Sequence, residues 1–239
     1  VSADVRPLLV LDTATRTPVV AIASLAGAVL GERRWPSRHR HGEELLGQLD
    51  GLLAELDLVR TSIAGVIVGT GPGSFTGLRI GLATAKLIAY GLAVPLTGIS
   101  TSRALALAAA RHGPDAAVYA VALPAGVADR YVHRLRVAGG RVAELEPAQL
   151  VGSQPAFAAA VDEAEVVAVD LEPGQLAPAA IELGRHALAG LAEALASMGV
   201  EELRRGRHDD PASLVPAYVA LPRGISQAAA SVEWLPDLR

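Results

Sequence analysis

The run Gly69-Thr70-Gly71-Pro72-Gly73-Ser74-Phe75-Thr76-Gly77-Leu78-Arg79-Ile80-Gly81 sets hydroxyls among glycines, between the apolar stretch Val66-Ile67-Val68 and a helical pattern. A strand-loop-helix turn of this kind exposes backbone amides and tolerates close approach, so it suits an anion or another backbone. Ser74 or Thr76 is placed to cap the helix. A phosphate-binding P-loop is not met, because Ser74, Thr76 and Leu78 stand at the required distance from Gly69, Gly71 and Gly73 and no lysine follows before Lys86. A dinucleotide fingerprint needs glycine where Ser74 stands. A hydrolase elbow around Ser74 needs glycines where Pro72 and Thr76 stand, so helix capping is the ordinary reading of Ser74. A tight turn without a ligand is the alternative for the whole loop.

Other reactive groups are sparse. The chain has no cysteine, which removes disulfides, thiol nucleophiles and thiolate metal sites together and fits a reducing compartment. His39 and His41 are two residues apart and cannot share a helix face, so no metal site is expected. A net charge of −4 argues against gripping nucleic acid over the whole surface. Two local clusters remain: Arg33, Arg34, Arg38, His39, Arg40 and His41 around Trp35, and Arg204, Arg205, Arg207 and His208. The arginines at 33, 34, 38 and 40 are a candidate RNA contact, with a solvated loop as the alternative.

The elements that must position these groups follow from periodicity. Leu8 to Leu11, closed by Asp12, reads as a buried strand; Val19 to Ser24 and Ala28 to Arg34 read as a hairpin. Leu45, Leu49, Leu52, Leu53 and Leu56 form one helical stripe, Ala64 to Gly69 is a strand, and the helix after the glycine loop reaches about Gly91. Pro95 to Ile99 is a short strand or connector, and a helix from Ser100 to Arg111 stops at His112-Gly113-Pro114. A second series begins with strands at Val118 to Leu123, Arg130 to Val137 and Arg141 to Leu145. It continues with a helix at Pro155 to Asp162, a strand at Val166 to Val169 and one long helix from Pro178 to Met198. Strand, strand, strand, helix, strand, helix therefore occurs twice, which predicts an α/β protein with two related lobes. The expected division is a first lobe over 1–112, a second and smaller lobe over 113–205, and a proline-rich tail over 206–239 that packs on the first lobe, with a short strand near Tyr218. No leader or membrane span is recognised, and a cytoplasmic location is expected.

Three segments, Leu11-Asp12-Thr13-Ala14-Thr15, His41 opening the leucine-striped helix, and Gly71 to Gly81, make the chain resemble the bacterial TsaB family, also called YeaZ. The resemblance implies a two-lobed actin-like ATPase fold, shared with sugar kinases and heat-shock chaperones, built from duplicated βββαβα units. It implies a non-catalytic subunit in the threonylcarbamoylation of the transfer-RNA adenosine beside the anticodon. Such a subunit binds the catalytic relative TsaD, is joined by the small ATPase TsaE, meets tRNA indirectly and forms a homodimer when alone. An ancestral nucleotide site is implied at Asp12, Thr13 and Thr15, where Ala14 replaces the phosphate-turn glycine. A β-carbon in that turn, with no lysine nearby, disfavours a polyphosphate. No intrinsic cofactor is expected, and ATP or ADP enters only with the complex. Departures lie in the second lobe: Pro124-Ala125-Gly126, then Asp129 and Tyr131, stand where the family has Asp-Ala-Arg ahead of glutamate and tyrosine. The arginine after Pro216-Ala217-Tyr218 is also missing.

Small residues suggest where a partner would seat. A helical wheel places Gly47, Gly51 and Ala54 opposite the leucine stripe, and Gly77, Gly81, Ala85 and Ala89 recur at four-residue spacing on the next helix. These ridges are expected to form the partner interface, with a solvated face as the alternative. Competing functions are an independent actin-fold kinase or peptidase-like enzyme, and a purely structural homodimer.

Overall fold

The computed structural model describes residues 6–36, 41–126, 128–172 and 176–219. Strand β1 (Leu8–Asp12) is apolar on both faces and so must be covered on both. It is the middle strand of a five-stranded sheet ordered β3 (Val29–Arg34), β2 (Val19–Ala23), β1, β4 (Gly65–Gly69), β5 (Leu96–Ile99). The pairs β1–β2 and β2–β3 are antiparallel, while β1–β4 and β4–β5 are parallel. Leu9 and Leu11 pack under α1 (His41–Glu55) and α2 (Phe75–Leu92) with Leu45, Leu49, Leu52, Leu53 and Leu82. Leu8 and Val10 face the other way, into a cluster shared with α3 (Thr101–Ala109) and α6 (Leu191–Arg204).

The second sheet runs β10 (Glu165–Ala168), β6 (Ala117–Pro124), β7 (Arg130–Ala138), β8 (Arg141–Glu144), with β9 (Gln149–Val151) also on β7. Tyr119, Val121 and Leu123 of β6 enter the shared inner cluster. Ala120 and Ala122 turn outward to Phe157 of α4 (Gln154–Ala160). Helix α5 (Pro178–Ala189) lies on β10 so tightly that a β-carbon at Gly184 would overlap the Ala168 carbonyl. The layers are therefore α1 and α2, first sheet, inner helices, second sheet, α4. The duplicated order, β1–β2–β3–α1–β4–α2 and β6–β7–β8–α4–β10–α5 with β9 inserted, is that of the actin-like ATPase fold.

Three elements differ from expectation. The helix predicted from Pro178 to Met198 is two helices meeting at Gly190, whose amide closes α5 on the His186 carbonyl at 3.0 Å. Apolar periodicity runs through that junction, but the chain must turn there so that α5 reaches β10 while α6 reaches the first sheet. Strand β9 was not anticipated. No strand forms at Tyr218: the tail attaches by Asp209, which pairs with Leu96, and by the Ala217 amide, which donates to the Thr70 carbonyl at 2.8 Å.

Candidate functional site

The turn after β1 and the glycine loop after β4 lie against each other. Ser74 caps α2 by accepting from the Gly77 amide at 3.1 Å, and its own amide donates to the Ala14 carbonyl at 2.7 Å. Thr13 Oγ1 donates to the Gly77 carbonyl at 2.7 Å. A β-carbon at Gly73 would overlap the Ala14 carbonyl, one at Gly77 the Thr13 carbonyl, and one at Gly81 the Thr13 hydroxyl. The glycines thus permit close approach of a backbone, and that backbone is the chain's own.

The turn's polar groups are also used internally. Asp12, Thr13 and Thr15 are buried. The Ala14 amide donates to Asp12 Oδ1 at 2.7 Å, and Thr101 Oγ1 donates to Asp12 Oδ2 at 2.6 Å. Thr15 Oγ1 donates to the Thr17 carbonyl at 3.0 Å. Burial pushes the Asp12 carboxyl up to about 6, against the bonds from Thr101 and Ala14 that lower it, and the Asp170 charge adds to the rise. From the second lobe, Asp170 Oδ2 accepts from the Arg16 amide at 2.6 Å, and burial raises this carboxyl as well, opposed by Arg16. Between the lobes lies a cavity of about 100 Å³ bounded by Arg16, Gly126, Asp129, Arg130, Asp170 and Glu172.

A second polar chain starts from the first turn of α3. Ser102 Oγ lies 2.6 Å from His133 Nδ1, and His133 Nε2 lies 3.6 Å from Glu144 Oε1. Serine, histidine and glutamate in this order have the composition of a hydrolytic triad. Ser102 is completely buried and His133 is 5 % exposed, so no carbonyl substrate reaches the hydroxyl. Burial lowers the His133 pKa, Glu144 counteracts this, and the Arg103 charge reinforces it. The His133 ring thus ties the second-lobe hairpin to α3, while Thr101 beside Ser102 ties α3 to Asp12.

The expected partner ridge is corrected in part. Gly77, Gly81 and Ala85 are buried, because α2 turns its small side inward onto the β1 turn. Gly51 lies beneath the Arg33 guanidinium, whereas Gly47 and Ala54 are exposed and open space surrounds Gly47. What α2 presents outward is large: Leu87 is 72 % and Tyr90 82 % exposed, with Ala83 beside them. Two arginines of the candidate RNA patch have partners within the chain. Arg33 pairs with Glu55 and Gln48, and Arg34 donates to the Leu188 carbonyl at 2.7 Å and to that of Ala189, closing the C-terminus of α5. Trp35 is core, not loop surface. Arg38 and Arg40 lie outside the described residues.

Sequence reasoning missed Asp170 and the Ser102–His133 pair. A signal for the first was present: Val167-Ala168-Val169-Asp170 repeats the pattern Leu9-Val10-Leu11-Asp12, an apolar strand closed by aspartate. Nothing in the spacing of Ser102 and His133 joins them before the lobes are folded.

The fold and site define a duplicated α/β protein whose phosphate-turn region is packed against its own glycine loop. The profile of the family described as "TsaD: tRNA N6-adenosine threonylcarbamoyltransferase" matches residues 36–171. The chain belongs to that family, and within it to the TsaB/YeaZ group. It is 35% identical over 104 residues to the tRNA threonylcarbamoyladenosine biosynthesis protein TsaB of Escherichia coli, covering 44% of each chain. It is 35% identical over 99 residues to an uncharacterized protein of Mycobacterium tuberculosis, covering 41% of this chain and 47% of that one. The matched stretch spans less than half the length of these curated relatives. The solved structure of YeaZ from Pseudomonas aeruginosa superposes with a TM-score of 0.67 at 23% identity, covering 89% of this chain and 99% of that one, and shows the same fold. No helix among the described residues is long and apolar enough to cross a membrane.

Proposed function

We propose that this protein is a non-catalytic subunit of the assembly that attaches a threonylcarbamoyl group to the tRNA adenosine beside the anticodon, and that it acts by seating a TsaD-like catalytic relative. The supporting observation is the outer face of α2, where Leu87 and Tyr90 stand in solvent beside Ala83; α2 contacts α1, on which Leu46, Gly47 and Ala54 are also exposed. Exposed aliphatic and aromatic side chains on two contacting helices, with the charged Asp50 and Glu55 also on α1, have the make-up of an interface core with a charged rim. A TsaE-like ATPase joins the pair, tRNA meets the assembly through the catalytic subunit, and ATP or ADP is bound by the complex and not by this chain alone. In the absence of its partner the same face pairs two copies of the chain.

An independent kinase would need open anion donors after β1, but the Ala14 and Arg16 amides are held by Asp12 and Asp170. A peptidase would need access to Ser102, which is completely buried. The proposal is tested with Leu87→Glu and Tyr90→Glu. Each is expected to abolish copurification with the TsaD relative and the formation of modified adenosine in a reconstituted reaction, without changing the melting temperature of the isolated chain. Undiminished copurification of both variants would overturn the assignment of this face.

A further inference from the structure

We infer that the C-terminal segment, residues 220–239, folds back along the outer face of α2 and covers Leu87 and Tyr90, so that the chain itself holds this face until a partner displaces it. The last described residues deliver the segment to that face. The Ala217 amide donates to the Thr70 carbonyl at 2.8 Å, and Tyr218 then lands on the first turns of α2. Its ring stands 5.1 Å from that of Phe75, and its hydroxyl accepts from Arg79 Nε at 3.2 Å. The Arg79 guanidinium in turn lies 4.1 Å over the Phe75 ring. An aromatic pair with a cation on it fixes the place at which the segment leaves the described fold.

The Tyr218 seat and the bare apolar surface belong to one side of the helix. At about 100° per residue, Phe75, Arg79, Ala83, Lys86, Leu87 and Tyr90 fall within a sector of about 120°, turned away from the buried Gly77, Gly81 and Ala85. The rise from Arg79 to Tyr90 is about 16 Å, which about five residues of extended chain span. Twenty residues follow Val219 in the sequence, so the segment is long enough to cover the face and more. Its composition suits that surface. Leu221, Ile225, Val232, Trp234 and Leu235 offer apolar contacts to Leu87 and Tyr90, whose exposure to water a covering segment would relieve. Glu233 and Asp237 offer carboxylates to Lys86, which has no acid partner among the described residues.

The contact can be read without any partner through Lys86, the sole lysine of the chain, which lies between the Tyr218 seat and Tyr90 on that face. A short tether gives an effective concentration on the order of 1 mM, so a contact with a Kd of about 0.3 mM shields the face for about three-quarters of the time. Removal of residues 220–239 is therefore expected to speed acetylation of Lys86 by an acetyl succinimidyl ester roughly fourfold, followed by mass spectrometry. Tyr218→Ala, which keeps the segment but releases its seat, is expected to give an intermediate rate. If both variants melt cooperatively and Lys86 reacts at the parent's rate in each, the inference is wrong. If the shortened chain does not fold, Tyr218→Ala decides by the same criterion. Acetylation that slows with rising protein concentration and ignores the truncation would mean that a second copy covers the face, which also overturns the inference. The consequence for assembly rests on the reading of α2 as the partner face: the shortened chain is then expected to bind the TsaD relative roughly fourfold more tightly. Faster acetylation without tighter binding would support the segment's contact and overturn the partner assignment alone.

Discussion

Replacing Asp12 by asparagine should change how stability depends on pH, and the sign follows from the site. The folded state raises this carboxyl from 3.8 to about 6, chiefly by burial. Folded protein therefore retains a proton that unfolded protein releases. The associated stabilisation is complete below 3.8 and is lost as pH rises through about 6. At 1.36 kcal/mol per unit the full interval corresponds to about 3 kcal/mol, of which about 2 kcal/mol falls between pH 4 and pH 7.5. Asparagine retains the acceptor for the Ala14 amide but must donate to Thr101 Oγ1, which imposes a roughly pH-independent cost of about 1 kcal/mol. Urea unfolding of both proteins at the two pH values separates these effects. The fixed cost cancels in the double difference, as do the titrations of groups that do not sense the Asp12 charge; Asp170 is the smallest of the causes of the Asp12 shift. The variant should gain about 2 kcal/mol on the parent between pH 4 and pH 7.5. A double difference indistinguishable from zero would mean that Asp12 is not a buried ionised carboxylate at neutral pH, and the account of the turn as internally satisfied would fail with it.

Alanine at Gly47 has open space and should stabilise the chain by up to about 1 kcal/mol, whereas alanine at Gly77 meets the Thr13 carbonyl and should cost about 1–3 kcal/mol; thermal melts compare them directly. Arg34→Ala frees two carbonyls at the end of α5 and should cost about 1–3 kcal/mol, seen as earlier hydrogen exchange in Pro178–Ala189, while Arg33→Ala, which loses a partly exposed pair, should change stability far less. His133 is buried with a lowered pKa, so its contribution is present above the unfolded value of 6.5 and is lost as pH falls through the lower folded one. His133→Gln should therefore flatten the stability profile on the acid side of 6.5, measured by unfolding between pH 5 and pH 7.

The lobes were legible because their strands and helices carry strong periodic signals. Leu8 to Leu11 and the leucines of α1 leave little choice of element, and the repeated order followed from counting them. The capping role of Ser74 and the local bond from Asp12 to the turn were legible for the same reason: both act within a few residues. What failed was the side to which a helix turns its small residues. A wheel gives relative angles within α2, but whether Gly77, Gly81 and Ala85 face solvent or the interior depends on a turn more than sixty residues earlier, which packs its backbone on them. The same limit hid the pairing of Arg33 and Arg34, whose partners sit on α1 and at the end of α5.

The glycine loop and the phosphate turn explain each other's departures. An empty turn after β1 would leave the buried Ala14 amide without an acceptor, which costs about 1–3 kcal/mol. Here the Ala14 amide is satisfied by Asp12 and the Arg16 amide by Asp170, while the Ala14 carbonyl accepts from Ser74. The small residues at Gly73, Gly77 and Gly81 are what allow the loop and α2 to come near enough to complete the set. Having used its small face for this, α2 is left with its bulky face outside, and Leu87 and Tyr90 stand in water with nothing from the described residues over them. Closure of the inner site and exposure of the outer surface are thus two results of one helix orientation. Any substitution that rotates α2 about its axis should disturb both together.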